Sequence, residues 1–527
     1  MARENECALE ESEVREVRVE PKSGADPARE YMTGWRLHVL TFGITLALFL
    51  STLETTIVST SLVSITNALN GFGRGTWVVT SYMLTYTGFL MIYAKFSDIF
   101  GRKPMMLIAL LVFTVFSTVC GTSQNMLQLI IFRAFQGLGG SGIYAMVTVI
   151  GSEMVPPEKF GLYMGIISSV FALSSILGTI LGGAISGNTT WRWVFLLNAP
   201  GGSGALALIA LALPPNFPSP KLSKRRSLGE IFSKSAFRRL DWRGTALSLA
   251  ASILLVGKVI STFVISALCW VGFVLWERVV ERHAGGIQEP IFPWRVLKNR
   301  AAAGFSFLGA VIGLPQRFQI VNGTSPAGAG IRLFPMVLAA PLASWFSAIL
   351  TSVAKIPPFY VLTFACSLQV VGLALMSTLP TDTMKIANAQ YGYEVIMGVG
   401  FGLAIPTAIL MVSLFVEAKD QAVVMGATTQ IRVLGGTLCL AISATVLSNW
   451  VKSQLPEFLN PQQLAALLRS SQALEVFDPE IRARVRFVYA EAYNQQMILL
   501  TGFAAASLLS LGLSFEKKAR ILDTARP

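Results

Sequence analysis

Charge is scarce in this chain. Asp, Glu, Lys and Arg make up 13% of its 527 residues, about half the share in a soluble globular protein. Histidine occurs only at His38 and His283, each beside a predicted span. The five cysteines, Cys7, Cys120, Cys269, Cys366 and Cys439, lie far apart. None has the spacing of a metal site or redox dithiol, so the four in apolar runs are read as small buried hydrophobes. The sequence also lacks a phosphate loop and a nucleophile elbow, which leaves little room for an ATP-driven pump or an enzyme. Despite a net charge of +13, no basic patch with interleaved aromatics points to nucleic acid. The first 34 residues have no signal-peptide core and read as a disordered cytoplasmic tail.

Apolar sequence fills the rest. Hydrophobic residues make up 53% of the chain, and mean hydropathy is +0.59. Runs of bilayer-spanning length, about 17–25 residues, recur at 36–64, 76–96, 104–121, 125–148, 161–186 and 192–213. Others follow at 301–315, 328–350, 357–379, 391–415, 421–448 and 494–515. The fold class is therefore an all-α polytopic membrane protein. Basic residues collect in alternate connections, most densely from Lys221 through Lys224, Arg225, Arg226, Lys234, Arg238 and Arg239 to Arg243. The positive-inside bias puts those connections, and both termini, in the cytoplasm.

The expected order is a tail at 1–35, a six-helix bundle at 36–213, a basic linker at 214–243, a short central hairpin at 244–277 and a second linker at 278–300. A second six-helix bundle at 301–515 follows, with an outer loop at 450–493, then a tail at 516–527. Two similar halves suggest an internally repeated transporter. Only 33 residues separate Arg243 from Glu277, whereas two full spans need about 40. A pair of short helices turning near Gly257-Lys258 is the expected compromise. The span after Arg300 is short as well. Either the shortening is native or coding sequence has been lost, and the second case would give a non-transporting chain.

Three patterns carry chemistry. Ala94-Lys-Phe-Ser-Asp98-Ile-Phe-Gly101-Arg102-Lys103 is a charged turn between two apolar runs. Gly101 permits the reversal, and Asp98, near a helix C-terminus, needs a cation or a helix N-terminus elsewhere. Glu54 lies inside the first span in Leu53-Glu-Thr-Thr-Ile-Val58, where an ionisable group is costly and needs a reason. Either it bonds Thr55 or Thr56 and fixes packing, or it carries a proton. Arg133 lies mid-span in Arg133-Ala-Phe-Gln136-Gly137 and keeps its charge. It is either a hydrogen-bond hub or a modulator of a nearby carboxylate, with Gln136 one turn along and expected to line a cavity. Gly178, Gly182 and Gly183 let helices approach closely. Gln430 and Arg432, near Gly435-Gly436, are candidate substrate contacts. Asn322-Gly-Thr is a glycosylation tripeptide on the expected outer side, and Asn188-Thr-Thr sits too near the bilayer.

The turn resembles the loop 2–3 motif Gly-x-Leu-x-Asp-x-x-Gly-Arg-Lys of the major facilitator superfamily, with Ala94 and Phe96 as departures. Arg133 to Gly137 resembles its fourth-span motif Arg-x-x-Gln-Gly. Glu54 stands where 14-span drug:proton antiporters have Leu-Asp-x-Thr-Ile-Val. Gly178-Thr-Ile-Leu-Gly-Gly183 is similar to the antiporter motif Gly-Pro-x-x-Gly-Gly, with Thr179 for Pro. Trp191-Arg-Trp-Val-Phe-Leu-Leu-Asn198-Ala-Pro200 resembles a further feature of that group, and the whole from 36 to 515 most resembles fungal toxin and multidrug exporters of the aflatoxin-efflux type. The resemblance implies the major facilitator fold and proton-coupled efflux of small amphipathic compounds by alternating access. Glu54 and Arg133 would couple protons, and Asp98, Gly101, Arg102 and Lys103 would gate. It implies no cofactor beyond the proton gradient, no metal, and a monomer in the plasma membrane, or else a vacuolar or vesicular one. Proton-coupled uptake, as of a siderophore, is the alternative.

Overall fold

The computed structural model describes residues 31–215, 217, 241–255, 260–282, 307–413 and 421–512. The first 30 residues, nearly all of the basic linker, the Gly257-Lys258 turn, the second linker beyond Arg282 and the C-terminal tail lie outside the described residues.

The apolar runs form long helices: α1 (Trp35–Ala68), α2 (Gly75–Phe100), α3 (Arg102–Gly121), α4 (Met126–Glu153) and α5 (Pro157–Asn188). Next come α6 (Trp193–Ala212), α7 (Trp242–Leu255), α8 (Ile260–Arg282) and α9 (Phe307–Ile320). The last are α10 (Pro326–Thr351), α11 (Pro358–Met376), α12 (Ala389–Ser413), α13 (Gln421–Gln454) and α14 (Pro479–Leu511). Proline opens α5, α11 and α14, where its missing N–H costs nothing and its φ suits the first turn. Asn125 caps α4 by accepting from the Gln128 amide at 2.9 Å. At a rise of about 1.5 Å per residue, the 34-residue α1 and α13 run about 51 Å. That exceeds the hydrocarbon core, so several helices extend past the expected spans.

The two halves repeat position for position. In the first, α2 packs on α4, α3 on α4 and α6, and α1 on α5; in the second, α10 packs on α12, α11 on α12 and α14, and α9 on α13. The first half holds one apolar core from Leu40 and Ile44 to Ile209, whereas the second is divided around Leu314–Leu500 and Val361–Met411. Contacts between halves run through α2 with α13, α5 with α10 and α1 with α9.

The short hairpin exists as two packed helices, α7 and α8, with α7 also resting on α2. Its base is held by Asp241, whose carboxylate accepts from the Gly244 amide at 3.0 Å and from Trp276 Nε1 at 2.9 Å. Arg243 lies 4.9 Å above the Trp276 ring. The described part of α7, 14 residues, covers about 21 Å. The described part of α9 has the same length.

Residues 455–493 form a cap at one end of the bundle, opposite the Asp98–Lys103 turn. Its helix Pro461–Arg469 is closed by a reciprocal Asn460–Gln463 capping box. Leu467, Leu474, Phe477 and Tyr489 pack with Val63 and Ile320. Asn67, at the end of α1, donates to Ser471 Oγ at 3.0 Å and accepts from the Ser471 amide at 2.9 Å. Gln319 donates to the Thr60 carbonyl at 3.0 Å. The two halves are thus closed on each other at the cap end. A chain freed of its native cysteines and carrying Asn67→Cys with Ser471→Cys should cross-link under mild oxidant and melt several degrees higher in detergent. No cross-link on a denaturing gel would show that the cap docks elsewhere.

Candidate functional site

Glu54, nineteen residues after Trp35 on α1, is fully buried, and so is Arg133 on α4. Arg133 Nη1 donates to Glu54 Oε1 at 2.6 Å and to Gln136 Oε1 at 2.8 Å, while its Nε donates to the Val78 carbonyl on α2 at 3.1 Å. The other Glu54 oxygen accepts from Asn198 Nδ2 at 2.6 Å. Ser117 Oγ on α3 accepts from both Asn198 and Gln136, at 2.8 and 2.9 Å. The guanidinium lies 4.2 Å over the Tyr82 ring and 5.7 Å from that of Phe195. Side chains from α1, α3, α4 and α6 therefore converge on one ion pair.

Asn198 reaches Glu54 because α6 is interrupted: helix Trp193–Leu196 gives way at Leu197 to helix Asn198–Ala212. Pro200 has no N–H to offer the Leu196 carbonyl, and such a gap breaks a helix. Asn198 stood inside a quoted motif, yet no role was assigned to it. The alternative partners weighed for Glu54, Thr55 and Thr56, bond backbone carbonyls of α1 instead. Gln136 corrects the reading of it as a cavity residue: it is fully buried, and its amide is committed to Arg133 and Ser117. Arg133 Nη2 and Asn198 Oδ1 remain buried without hydrogen-bond partners, so the network holds a spare donor and a spare acceptor.

The charged turn between α2 and α3 bonds two other helices. Gly101 has φ 98°, a backbone that glycine tolerates, and it separates α2 from α3. Asp98 needs no distant partner, because Arg102 Nη1 meets its Oδ1 at 2.5 Å. The same guanidinium holds Glu153, at the end of α4, through Nε at 3.0 Å and Nη2 at 2.8 Å. Lys103 Nζ donates to the Ala210 and Leu213 carbonyls at 2.6 Å each, closing the C-terminal end of α6 as a cation should. Glu153 was missed by sequence reasoning; its place five residues after a span gave the only signal.

The glycines sit at crossings. A Cβ on Gly178 or Gly182 would run into Thr56 or Thr60 of α1, and one on Gly183 would lie 2.6 Å from the Pro326 carbonyl across the halves. Ser61 Oγ donates to the Gly182 carbonyl at 2.9 Å. In the second half, Gln430 is 1% exposed, with neither side-chain atom bonded. Arg432 is half-buried. Asn322 Nδ2, which a glycan would join, donates to the Met384 carbonyl at 3.1 Å instead. Two further charges went unmentioned. Arg317 on α9 bonds Asn494 Oδ1 at 2.5 Å and the Pro380 carbonyl at 3.0 Å. Glu394 on α12 is fully buried and accepts from Gln390 Nε2 at 3.4 Å.

Two repeated six-helix halves with an ionised pair in one core define a membrane transporter architecture. A family model described as Major Facilitator Superfamily matches residues 44–439, and the chain belongs to that superfamily: it is a multi-pass membrane transporter. The MFS-type transporter FPY5 of Fusarium mangiferae is 48% identical over 96% of this chain and 88% of its own length. Multidrug resistance protein 3 of Bacillus subtilis is 28% identical over 92% of this chain and 96% of its own. MFS-type efflux pump LUC4 of a Fusarium species is 31% identical over 80% and 76%. A bacterial homologue of the human lysosomal transporter Spinster, solved inward-facing and unoccupied, superposes with TM-score 0.64 at 14% identity, covering 92% of this chain and all of that one.

Three substitutions test these contacts through stability. Glu153→Gln removes one side of a mostly buried, doubly bonded pair and should cost about 2 kcal/mol. Asp98→Asn, at a side chain 38% exposed, should cost under about 1 kcal/mol. Melting of the purified variants in detergent checks the order, and equal losses would contradict it. Arg133→Ala strands the buried Glu54 and should cost about 3–5 kcal/mol.

Proposed function

We propose that this chain exports small amphipathic compounds in exchange for protons by alternating access, and that Glu54 carries the proton. The observation that carries this reading is the full burial of Glu54 with one oxygen on Arg133 and the other on Asn198. A buried carboxylate is tolerable only while paired. Protonation at Oε1 would put a hydrogen between that oxygen and the guanidinium, ending its role as acceptor from Nη1. Arg133 would then fall back on Gln136, the Val78 carbonyl and the Tyr82 ring, all already in reach. Loading and unloading the proton would thereby loosen and restore a knot that ties α1, α4 and α6.

The gate assignment follows the same reading. With the basic connections in the cytoplasm, the Asp98–Lys103 turn lies inside and the 455–493 cap outside. The contacts of Asn67 with Ser471 and of Gly183 with Pro326 would then close the outer path, leaving the chain inward-facing. Rocking of the halves would break these contacts while the turn, bound to Glu153 and the end of α6, keeps the first half rigid. Export accords with the efflux names of the relatives. The short hairpin packs as a unit on α2, outside both six-helix repeats, which supports a working transporter over a degenerate one.

Glu54→Gln keeps the size and removes titration. In inside-out vesicles bearing a pH gradient, accumulation of an exported dye should collapse, with its binding to the purified chain retained. Full gradient-driven accumulation by the variant would sink the proton-carrier role.

A further inference from the structure

One acceptor beside Glu54 is idle. Asn198, 1% exposed, spends both of its amide hydrogens: Nδ2 donates to Glu54 Oε2 at 2.6 Å and to Ser117 Oγ at 2.8 Å. Its oxygen, Oδ1, is buried and accepts from nothing. Ser117 Oγ accepts from Asn198 and from Gln136 Nε2, and it donates its one hydrogen to the Phe195 carbonyl at 3.1 Å. A primary amide carries two donors on its nitrogen and an acceptor on its oxygen. While Glu54 is ionised the amide must stand this way round, since the reverse would aim Oδ1 at a carboxylate.

Uptake of a proton reverses that requirement. It forms one O–H bond on the carboxyl and breaks no bond between heavy atoms. On Oε1 the new hydrogen faces Arg133, which has donors only. On Oε2 it faces Asn198, which has the idle acceptor. Half a turn of the amide about its Cβ–Cγ bond exchanges Nδ2 with Oδ1, and Oδ1 then accepts from the Oε2 hydroxyl. The same oxygen now faces Ser117, which keeps a bond there by turning its hydrogen away from the Phe195 carbonyl. Phe195 lies in the short helix Trp193–Leu196, directly before the break at Leu197.

Resting on the reading of Glu54 as the proton carrier, we infer that Asn198 is a positioning residue that reads the protonation of Glu54 by turning its amide, and that Ser117 passes the change to the break in α6. The other charged or titratable groups around Glu54 are held elsewhere. Arg133 on α4 keeps Gln136 and the Val78 carbonyl. Tyr82 on α2 donates to the Ser51 carbonyl at 3.3 Å, and Cys120 on α3 donates to Gln136 Oε1 at 3.6 Å. From α5 come Ser174, which meets Thr52 at 2.7 Å, and glycines. α9 meets α1 further along, where Gln319 bonds the Thr60 carbonyl. Asn198 alone pairs an idle acceptor with a bond to the titrating oxygen.

The test uses the purified full chain in nanodiscs, labelled with 5-fluorotryptophan. Acid-minus-neutral infrared difference spectra should show a new carboxylic C=O band that Glu54→Gln removes. With it should come a shift of a side-chain amide C=O band that Asn198→Leu removes. Carbon-13 at the asparagine side-chain carbonyl should displace that amide band in the unsubstituted chain, so the reading does not depend on the Asn198 variant folding. Trp193 is 56% exposed on the short helix. Its fluorine resonance, identified by its loss in Trp193→Phe, should move with the same midpoint as the carboxylic band. Ser117→Ala should keep both infrared changes and lose most of the Trp193 shift. An asparagine that merely anchors the carboxylate gives the carboxylic band with no amide shift. That result, or a Trp193 shift unchanged in Ser117→Ala, overturns the inference and leaves Glu54 as the carrier. Absence of any titrating band that Glu54→Gln removes overturns both.

Discussion

An ion pair with no access to water governs the first half of this transporter. Taking two charges out of water costs more than their attraction returns unless further hydrogen bonds meet the remaining valences. Here Gln136, Asn198, Ser117 and the Val78 carbonyl meet most of them, so the pair constrains four helices together with α2. It sets the break in α6, because Asn198 must face Glu54. It keeps Tyr82 flat against the guanidinium. It also leaves a spare donor at Arg133 Nη2, so the network has somewhere to go when its charge balance changes.

Much of this was legible in the residues. The twelve main spans are near-continuous apolar runs, and bilayer thickness fixes their length, so their order and rough ends could be read directly. Mid-span Glu54 and Arg133 stood out because each is expensive where it lies. Pairing between them was not legible, since it depends on α1 and α4 crossing at one depth, and no local pattern records that. Gln136 was misplaced for the same reason: helical spacing says which residues share a face with Arg133, but not whether that face meets a gap or the packed core. Arg317 and Glu394 escaped notice because each lies near a span end, where a charge seems free to reach water. Folding buries them under the cap end and the neighbouring helices.

The two ends of the bundle are held by different physics. At the turn end, Arg102 and Lys103 tie α2, α3, α4 and α6 of one half to each other through charged bonds. At the cap end, neutral side-chain amides, hydroxyls and apolar side chains join the two halves. Charged bonds with mostly buried partners are stiff and costly to exchange, whereas neutral bonds at a wet rim are replaced by water at little net cost. A rocking transporter needs that division, with rigidity inside each half and easily broken contacts between them.

The same division sets what the interface between halves can recognise. Gly183 against Pro326, and Gly330 against the Thr179 carbonyl, bring α5 and α10 to backbone contact, leaving no room there for a substrate. On the opposite side, α2 and α13 meet through the hydroxyls of Thr87 and Thr437, 3.4 Å apart. Small residues let one seam close to backbone contact, whereas polar side chains meet across the other. A ligand shifts the balance between open and closed arrangements only through a difference in its affinity for the two, and backbone contact along the α5–α10 seam leaves it nothing there to bind.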